Sequence, residues 1–421
     1  MKSESLDINE ISRDRQVALL AAELNSLADV DLLLDKMLEK ARSIVRAEAG
    51  TVYTIRAGKL HFHASQNSYL ERLLPESEEL PFTGTLLEIE PGTLAGFTAM
   101  NKTVLTVNDT GGIAPDAPFQ HFHSLDSNNN YVSQAVMSLP LVCRNNDLLG
   151  VLQIINPLDG AGKVVGFEKE DERLLAFFAG HASLALEKAV MLRESIINTV
   201  KIVEMHDYTE SVAHAQRVAK LAAAIYANWS ARHKIPAAER EEALNILPLA
   251  AMLHDVGKAW IPVDILTKPS RLGMVDRLIM EEHVKAGARL YASCRTPLDR
   301  LTHSLISDHH ERWDGKGYPG CPQPGDGRSR YGKTQSKGKK GEEISIYGRI
   351  MAVADVFDAL SSRRTYKEAF DENLAVQIMV QESGHHFDPS VIESFLAIRP
   401  ILKRVRERFP EKEPGADYPG F

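Results

Sequence analysis

Apolar positions change their spacing near the middle of the chain. In the first half, helical and strand-like patterns alternate. Leu33, Leu34, Met37, Leu38, Ala41, Ile44 and Val45 recur at the three-to-four-residue interval of a helix. Residues 51–56 and 59–64 alternate apolar and polar around Ala57-Gly58, which predicts a hairpin. Further strands are predicted at 103–107, 134–142 and 148–155, the last two joined by the turn Asn145-Asn146-Asp147. Residues 111–130, rich in Gly, Pro and Asn, read as a long loop. Helices flanking an antiparallel sheet give an α+β domain over residues 13–190, preceded by an unstructured stretch at 1–12.

A single helical pattern then leads out of this domain. Leu175, Phe178, Ala182, Ala185, Ala189, Leu192, Ile196, Thr199 and Val203 alternate three and four apart, the seam of a coiled coil. That spacing predicts a homodimer formed through the 175–203 helix, with residues 191–204 as a connecting helix. The alternative is one long amphipathic helix packed on its own domain. From 205 to 405 the pattern is helical almost throughout and predicts an all-α helical bundle, followed by a tail at 406–421. Residues 321–341 break it: they are rich in Gly, Ser and Pro and carry Arg328, Arg330, Lys333, Lys337, Lys339 and Lys340, the composition of a flexible basic loop.

Composition narrows the function classes. The 421 residues are 44% hydrophobic and 25% charged, ordinary globular usage, with a net charge of −8 that disfavours a nucleic-acid polymer as partner. The three cysteines, Cys143, Cys294 and Cys321, form no closely spaced pair. The longest apolar run, residues 246–253, is far short of the roughly 18 residues of a membrane span. These features predict a cytoplasmic protein with no membrane partner. The His-Phe-His triplets at 61–63 and 121–123 could suggest a metal or haem, but one alternates along a strand and the other falls in the long loop.

The 15 histidines matter more through their placement in the second half. Glu210 and His214 are four apart and so share a helix face, which continues through apolar Val218, Leu221 and Ile225. His254 and Asp255 follow an apolar run. His283 lies on a stripe with Met280, Gly287 and Leu290; His309 and His310 follow Leu305 and Ile306 by one turn; Asp355 sits in an apolar helix. A buried carboxylate is costly without a partner. Imidazoles mixed with carboxylates form a ligand set for Fe, Mn, Zn or Ni rather than Ca or Mg. Eight such groups exceed the needs of one ion and predict two or three divalent ions sharing a bridging carboxylate; an internal salt-bridge network is the alternative.

Two resemblances rest on these segments. Residues 134–155, with LLGVLQIIN after a polar turn, then Phe167-Glu168-Lys169-Glu170-Asp171 and the apolar helix 174–185, resemble a GAF domain, a sensor of small molecules or partners. The second half resembles an HD-GYP domain of the HD metal-dependent phosphohydrolases. Its motifs are His254-Asp255-Val256-Gly257-Lys258, His283, and His309-His310-Glu311-Arg312-Trp313-Asp314-Gly315-Lys316-Gly317-Tyr318-Pro319. They continue with residues 349–355, Phe357-Asp358-Ala359-Leu360, Arg363-Arg364-Thr365-Tyr366-Lys367 and the 384–389 stretch. The Asp-Tyr-Thr run at 207–209 is spaced differently from the family pattern before His214, which leaves His206 as a bystander or an alternative ligand.

The resemblance implies hydrolysis of cyclic di-GMP to pGpG, to GMP, or both, under control of the GAF unit. It implies metal ligation by His214, His254, Asp255, His283, His309, His310 and Asp355, with Asp255 bridging and Glu210 holding a third ion; Fe or Mn are the implied metals. Lys258 would help with transition-state charge, Arg364 and Lys367 would contact phosphate, and Tyr318 would contact guanine or phosphate. The implied partners are a cyclic dinucleotide substrate, a small-molecule ligand of the GAF domain and a signalling protein at the GYP loop. A silent cyclic-dinucleotide receptor, or an HD hydrolase acting on another dinucleotide such as cyclic GMP-AMP, are the alternative functions.

Overall fold

The computed structural model describes residues 8–72, 86–121, 131–207, 211–268, 270–320, 337–362 and 369–410. The chain divides into two compact units, Met1–Leu192 and Arg193–Phe421.

The N-terminal unit is an antiparallel sheet between helical layers. Its strands are β1 (Ala47–Arg56), β2 (Lys59–Asn67), β3 (Leu86–Leu87), β4 (Leu105–Val107), β5 (Val136–Val142) and β6 (Leu148–Pro157), in the order β3-β2-β1-β6-β5-β4. The predicted hairpins are present, with Ala57 and Gly58 both at positive φ in the β1–β2 turn. One face of the sheet, with Val52, Ala64, Leu139, Leu152 and Ile154, packs against α1 (Ile8–Leu24), α2 (Val30–Val45) and the first part of α4 (Lys169–His206). The other face carries Tyr53, Phe62 and Val151 and packs against α3 (Leu94–Asn101).

A register shift separates these faces within one hairpin. Val52 pairs with Ala64 but Tyr53 pairs with Phe62, leaving His63 as an extra residue on β2. Such a bulge turns the strand so that Ala64 and Phe62 serve opposite faces, although both are even-numbered. The Tyr53 and Phe62 rings meet edge to face at 5.3 Å. His63 is held by Asp31 at the start of α2, Nε2 to Oδ1 2.8 Å. Its imidazole is thus bound to a neighbouring carboxylate.

Three expectations change. α1 already begins at Ile8, within the stretch expected to be unstructured, because Val17, Ala21 and Leu24 anchor it in the core. Much of the 175–203 seam is covered within the chain. Leu175, Phe178, Ala182, Ala185 and Ala189 lie in the core of the N-terminal unit, and in the C-terminal unit Val203 packs with Val256 and Ile306. A three-four spacing serves an intrachain core as well as a partner helix, and the exposed apolar side chains of α4 (Phe177, Met191, Ile202 and Met205) lie off this seam. α4 is also long and apolar enough to cross a bilayer by length and composition, yet half of its apolar window is buried within the chain. Lastly, the C-terminal helix runs past residue 406, to Arg408, and the Phe409 carbonyl accepts from Arg217 Nη1 at 3.0 Å.

The C-terminal unit is all helical among the described residues. After the end of α4 come α5 (Val212–Arg232), α6 (Ala237–Met252), a short 3-10 turn (Val256–Trp260), α7 (Val263–Leu266), α8 (Met274–Leu290) and α9 (Pro297–Asp308). Then follow α10 (Ile346–Ser361), α11 (Glu372–Gln381), α12 (Pro389–Ala397) and α13 (Arg399–Arg408). Local signals explain the starts: Ser211, Thr296, Ser345 and Asp388 cap α5, α9, α10 and α12 through their side chains.

Phe178 is fully buried between the sheet and α2. Phe178→Ala should therefore destabilise the N-terminal unit by about 3–5 kcal/mol. Urea denaturation followed by circular dichroism measures this, and an unchanged midpoint would contradict the packing described.

Candidate metal centre

Helix ends and turns deliver most of the polar groups of the bundle interior. α6 stops at Met252, so His254 and Asp255 stand in the turn beyond it rather than on the helix, and Lys258 lies on the following 3-10 turn. His309 caps the C-terminus of α9 and His310 follows it. His283 comes from the middle of α8, Asp355 from α10, and His214 from the first turn of α5. His214, His254, Asp255, His283 and His309 are all buried.

Gly257 sets the distance between two of these elements. A β-carbon there would lie 1.9 Å from the His283 carbonyl oxygen and 2.5 Å from the Gly287 nitrogen. Only glycine lets the 3-10 turn rest directly on the α8 backbone, which brings Asp255 Oδ1 to 3.1 Å from His283 Nε2. The stripe expected on α8 is buried at His283 and Gly287 but not at Leu290, which is 64% exposed.

The imidazoles share one orientation. Nδ1 of His254, His283 and His309 faces the carbonyl oxygen three residues earlier, Ala251, Met280 and Ile306, at 2.9, 2.6 and 2.8 Å. His214 Nδ1 faces Asp358 Oδ2 at 2.8 Å. A carbonyl or carboxylate oxygen only accepts, so each Nδ1 is the donor, and in the neutral ring Nε2 then keeps its lone pair. Those Nε2 atoms converge on two carboxylates. His309 Nε2 is 3.5 Å from Asp255 Oδ1, His254 Nε2 is 3.2 Å from Asp255 Oδ2, and His214 Nε2 is 3.6 Å from Asp355 Oδ1. The buried His283 Nε2, His309 Nε2 and Asp255 Oδ1 make no hydrogen bond. Lone pairs and carboxylates crowded together out of water repel one another unless a cation lies between them. The residues therefore fit a metal.

The donors fall into two groups, each within 4.8 Å: Asp255, His283, His309 and His310, and His214, His254 and Asp355. Asp255 lies against both. Burial pushes its carboxyl up, but the charge of Lys258, with His254 beside it, outweighs burial and holds it well below the usual carboxylate range. Lys258 Nζ lies 2.9 Å from Asp255 and 3.7 Å from Asp207. Burial, with His309 beside it, keeps His310 neutral. Tyr318 stacks on His310, ring centroids 4.7 Å apart. Burial, then the charges of Asp255 and Glu281, push its phenol up, so the hydroxyl stays a donor.

Glu210, Arg364 and Lys367 lie outside the described residues, as do residues 321–336 of the basic loop. α5 begins at Val212 with Ser211 as its cap, so the helical phase used to pair His214 with position 210 starts later than expected. His206 does not join the cluster; its Nε2 meets the Ile261 carbonyl at 2.7 Å.

Sequence reasoning gave no role to Asp358, Arg217, Asp308 or Glu311. Asp358 fixes His214, and Arg217 grips the same carboxylate through two bonds of 2.6 and 2.8 Å. The hydrogen bonds from Arg217 and His214 hold the buried Asp358 at a pKa of about 2 against the opposing effect of burial. The signal was present in the spacing: Asp358 is three after Asp355, and Arg217 three after His214. Glu311 accepts from the backbone N–H groups of Gly320 and Lys339, tying both sides of the basic loop to the site, and Asp308 pairs with Lys339 Nζ and Ser345 N–H.

Gly257→Ala should push α8 away from Asp255. We expect a loss of about 1–3 kcal/mol in stability and weaker Mn²⁺ binding by calorimetry; wild-type values for both would contradict the close packing.

Comparison with known proteins places this geometry. The GAF domain family matches residues 29–186 and the HD domain family matches residues 212–360. The chain is 34% identical over 257 residues to a 3'3'-cGAMP-specific phosphodiesterase 2 of Vibrio cholerae serotype O1, covering 56% of this chain and 44% of the relative. It is 39% identical over 173 residues to a cyclic di-GMP phosphodiesterase of the same organism, covering 40% and 32%. A cyclic di-GMP phosphodiesterase of Thermotoga maritima is 36% identical over 174 residues, covering 41% and 42%. The chain thus spans less than half the length of these relatives. It carries a GAF domain joined to an HD domain.

Proposed function

We propose that this chain is a metal-dependent phosphodiesterase that hydrolyses a cyclic dinucleotide, cyclic di-GMP first, under control of a GAF unit that senses a small ligand. The convergence of four Nε2 lone pairs on Asp255 and Asp355 carries this reading. His214, His254, Asp255, His283, His309, His310 and Asp355 would hold the ions, with Asp255 between the two groups and Glu210 adding a third site. Fe or Mn suit the imidazole and carboxylate set. Bound ions would acidify water toward neutral pKa and neutralise phosphate oxygens.

The chain's own residues orient and charge the site. The carbonyls of Ala251, Met280 and Ile306 hold three imidazoles in register, and Asp358 with Arg217 holds His214. Lys258 supplies a cation beside Asp255 for charge developing on the phosphate. The Tyr318 hydroxyl is a donor at the rim, and Arg364 and Lys367 add phosphate contacts. The products are pGpG, GMP or both.

A second substrate reading has its own support. The relative aligned over 257 residues is named for 3'3'-cGAMP, so hydrolysis of a mixed cyclic GMP-AMP stands beside cyclic di-GMP.

The test is metal content of anaerobically purified chain, with turnover of both dinucleotides followed by chromatography. His254→Ala with Asp255→Ala should abolish metal loading and hydrolysis, and unchanged hydrolysis would sink the assignment. Glu210→Ala should remove one ion per chain; an unaltered count returns the site to two metals.

A further inference from the structure

The turn that carries Lys258 is short and needs support from outside. It is a five-residue 3-10 turn, Val256–Trp260. The Val256 N–H bonds to the Leu253 carbonyl at its start and the Ile261 N–H to the Lys258 carbonyl at its end, at 3.1 and 2.9 Å. Turns of this kind have poorer hydrogen-bond geometry than an α-helix. One support is α8, where Gly257 lets the two backbones meet. The end of α4 supplies a second: Val203 packs with Val256 and Ile306.

A single polar contact completes that second support. His206, the last residue of α4, brings Nε2 to 2.7 Å from the Ile261 carbonyl oxygen. The carbonyl only accepts, so Nε2 is the donor here, whereas Nδ1 donates in His214, His254, His283 and His309. In this tautomer the ring has no Nε2 lone pair to offer a metal. Ile261 is 1% exposed, and no backbone N–H among the described residues bonds to its carbonyl. An enclosed carbonyl without a donor is costly, and His206 provides one. Because the Ile261 N–H closes the turn at Lys258, the imidazole fixes the residue that ends it. Placement matters for Lys258, whose ammonium lies 2.9 Å from Asp255 and 3.7 Å from Asp207, the residue after His206. Both acids are buried, so a small displacement of the turn would move the charge from one toward the other.

We propose that His206 is a positioning residue: through the Ile261 carbonyl it holds the 3-10 turn so that Lys258 stands beside Asp255. This rests on the reading of Lys258 as the cation that meets charge developing on the phosphate, and adds the group that places it. The metal ligands keep their own anchors and do not depend on His206.

Three forms of the full chain test this: wild type, His206→Ala and His206→Gln. A glutamine amide can donate to the same carbonyl and alanine cannot. The measurements are Mn²⁺ bound per chain, kcat and KM for cyclic di-GMP, and hydrogen–deuterium exchange of the 256–261 amides. In His206→Ala, kcat should fall about tenfold with KM, Mn²⁺ count and thermal midpoint unchanged, the mark of an interaction made in the transition state. Exchange over 256–261 should speed up several-fold, and glutamine should recover most of both. Wild-type kcat or wild-type exchange in His206→Ala overturns the proposal. So does a loss of Mn²⁺ or of thermal midpoint in step with kcat, or a glutamine variant no better than alanine. If the wild type binds Mn²⁺ but hydrolyses no cyclic dinucleotide, the phosphodiesterase reading falls. Exchange then decides the positioning alone: faster in alanine and reversed by glutamine upholds it, and unchanged exchange overturns it.

Discussion

The C-terminal site depends on where four imidazole protons are held. A histidine with both nitrogens free can turn either to a metal, and a cluster of such rings is not an organised site. Here backbone carbonyls fix three rings and Asp358 fixes the fourth, so all four Nε2 atoms turn toward Asp255 and Asp355. The contacts are local, since the carbonyl partner sits three residues earlier in each of three cases. The site is thus largely assembled by turn geometry at helix ends. Long-range packing has only to bring those turns together, and Gly257 resting on α8 is where it does so.

Surrounding charge follows from the same arrangement. Asp255 is buried beside imidazole Nε2 atoms, and Lys258, 2.9 Å away, compensates its charge. Asp358 is buried too, but its partners are protein donors, and Arg217 and the protonated Nδ1 of His214 satisfy it. Two acids three residues apart on α10 therefore do opposite work: Asp355 faces the lone pairs, and Asp358 orients one of them. Glu311 and Asp308 extend this support to the segments around the basic loop.

Much of this was legible in the sequence, for identifiable reasons. The histidines and acids of the second half fell on apolar faces, and burial of such groups demands a partner. The strands of the first half alternated cleanly enough to place each hairpin. The seam of α4 left two readings open, because a three-four repeat records only that one helix face is buried and not whether the cover comes from the same chain, which supplies much of it here. The bulge at His63 was invisible, since alternation continues in the residue letters while the register shifts beneath it. Asp358 and Arg217 had a readable spacing, yet their role depends on which imidazole nitrogen they reach, and that is set by three-dimensional packing.

The tautomer of the four histidines is the most direct measurement of the central claim. Two-bond ¹H–¹⁵N correlation spectra of chain labelled with ¹⁵N-histidine report which ring nitrogen carries the proton. In metal-free protein, His214, His254, His283 and His309 are predicted to be protonated at Nδ1, with Nε2 resonances that shift when Zn²⁺ is added. Protonation at Nε2 in these residues, or Nε2 signals indifferent to the ion, would contradict it.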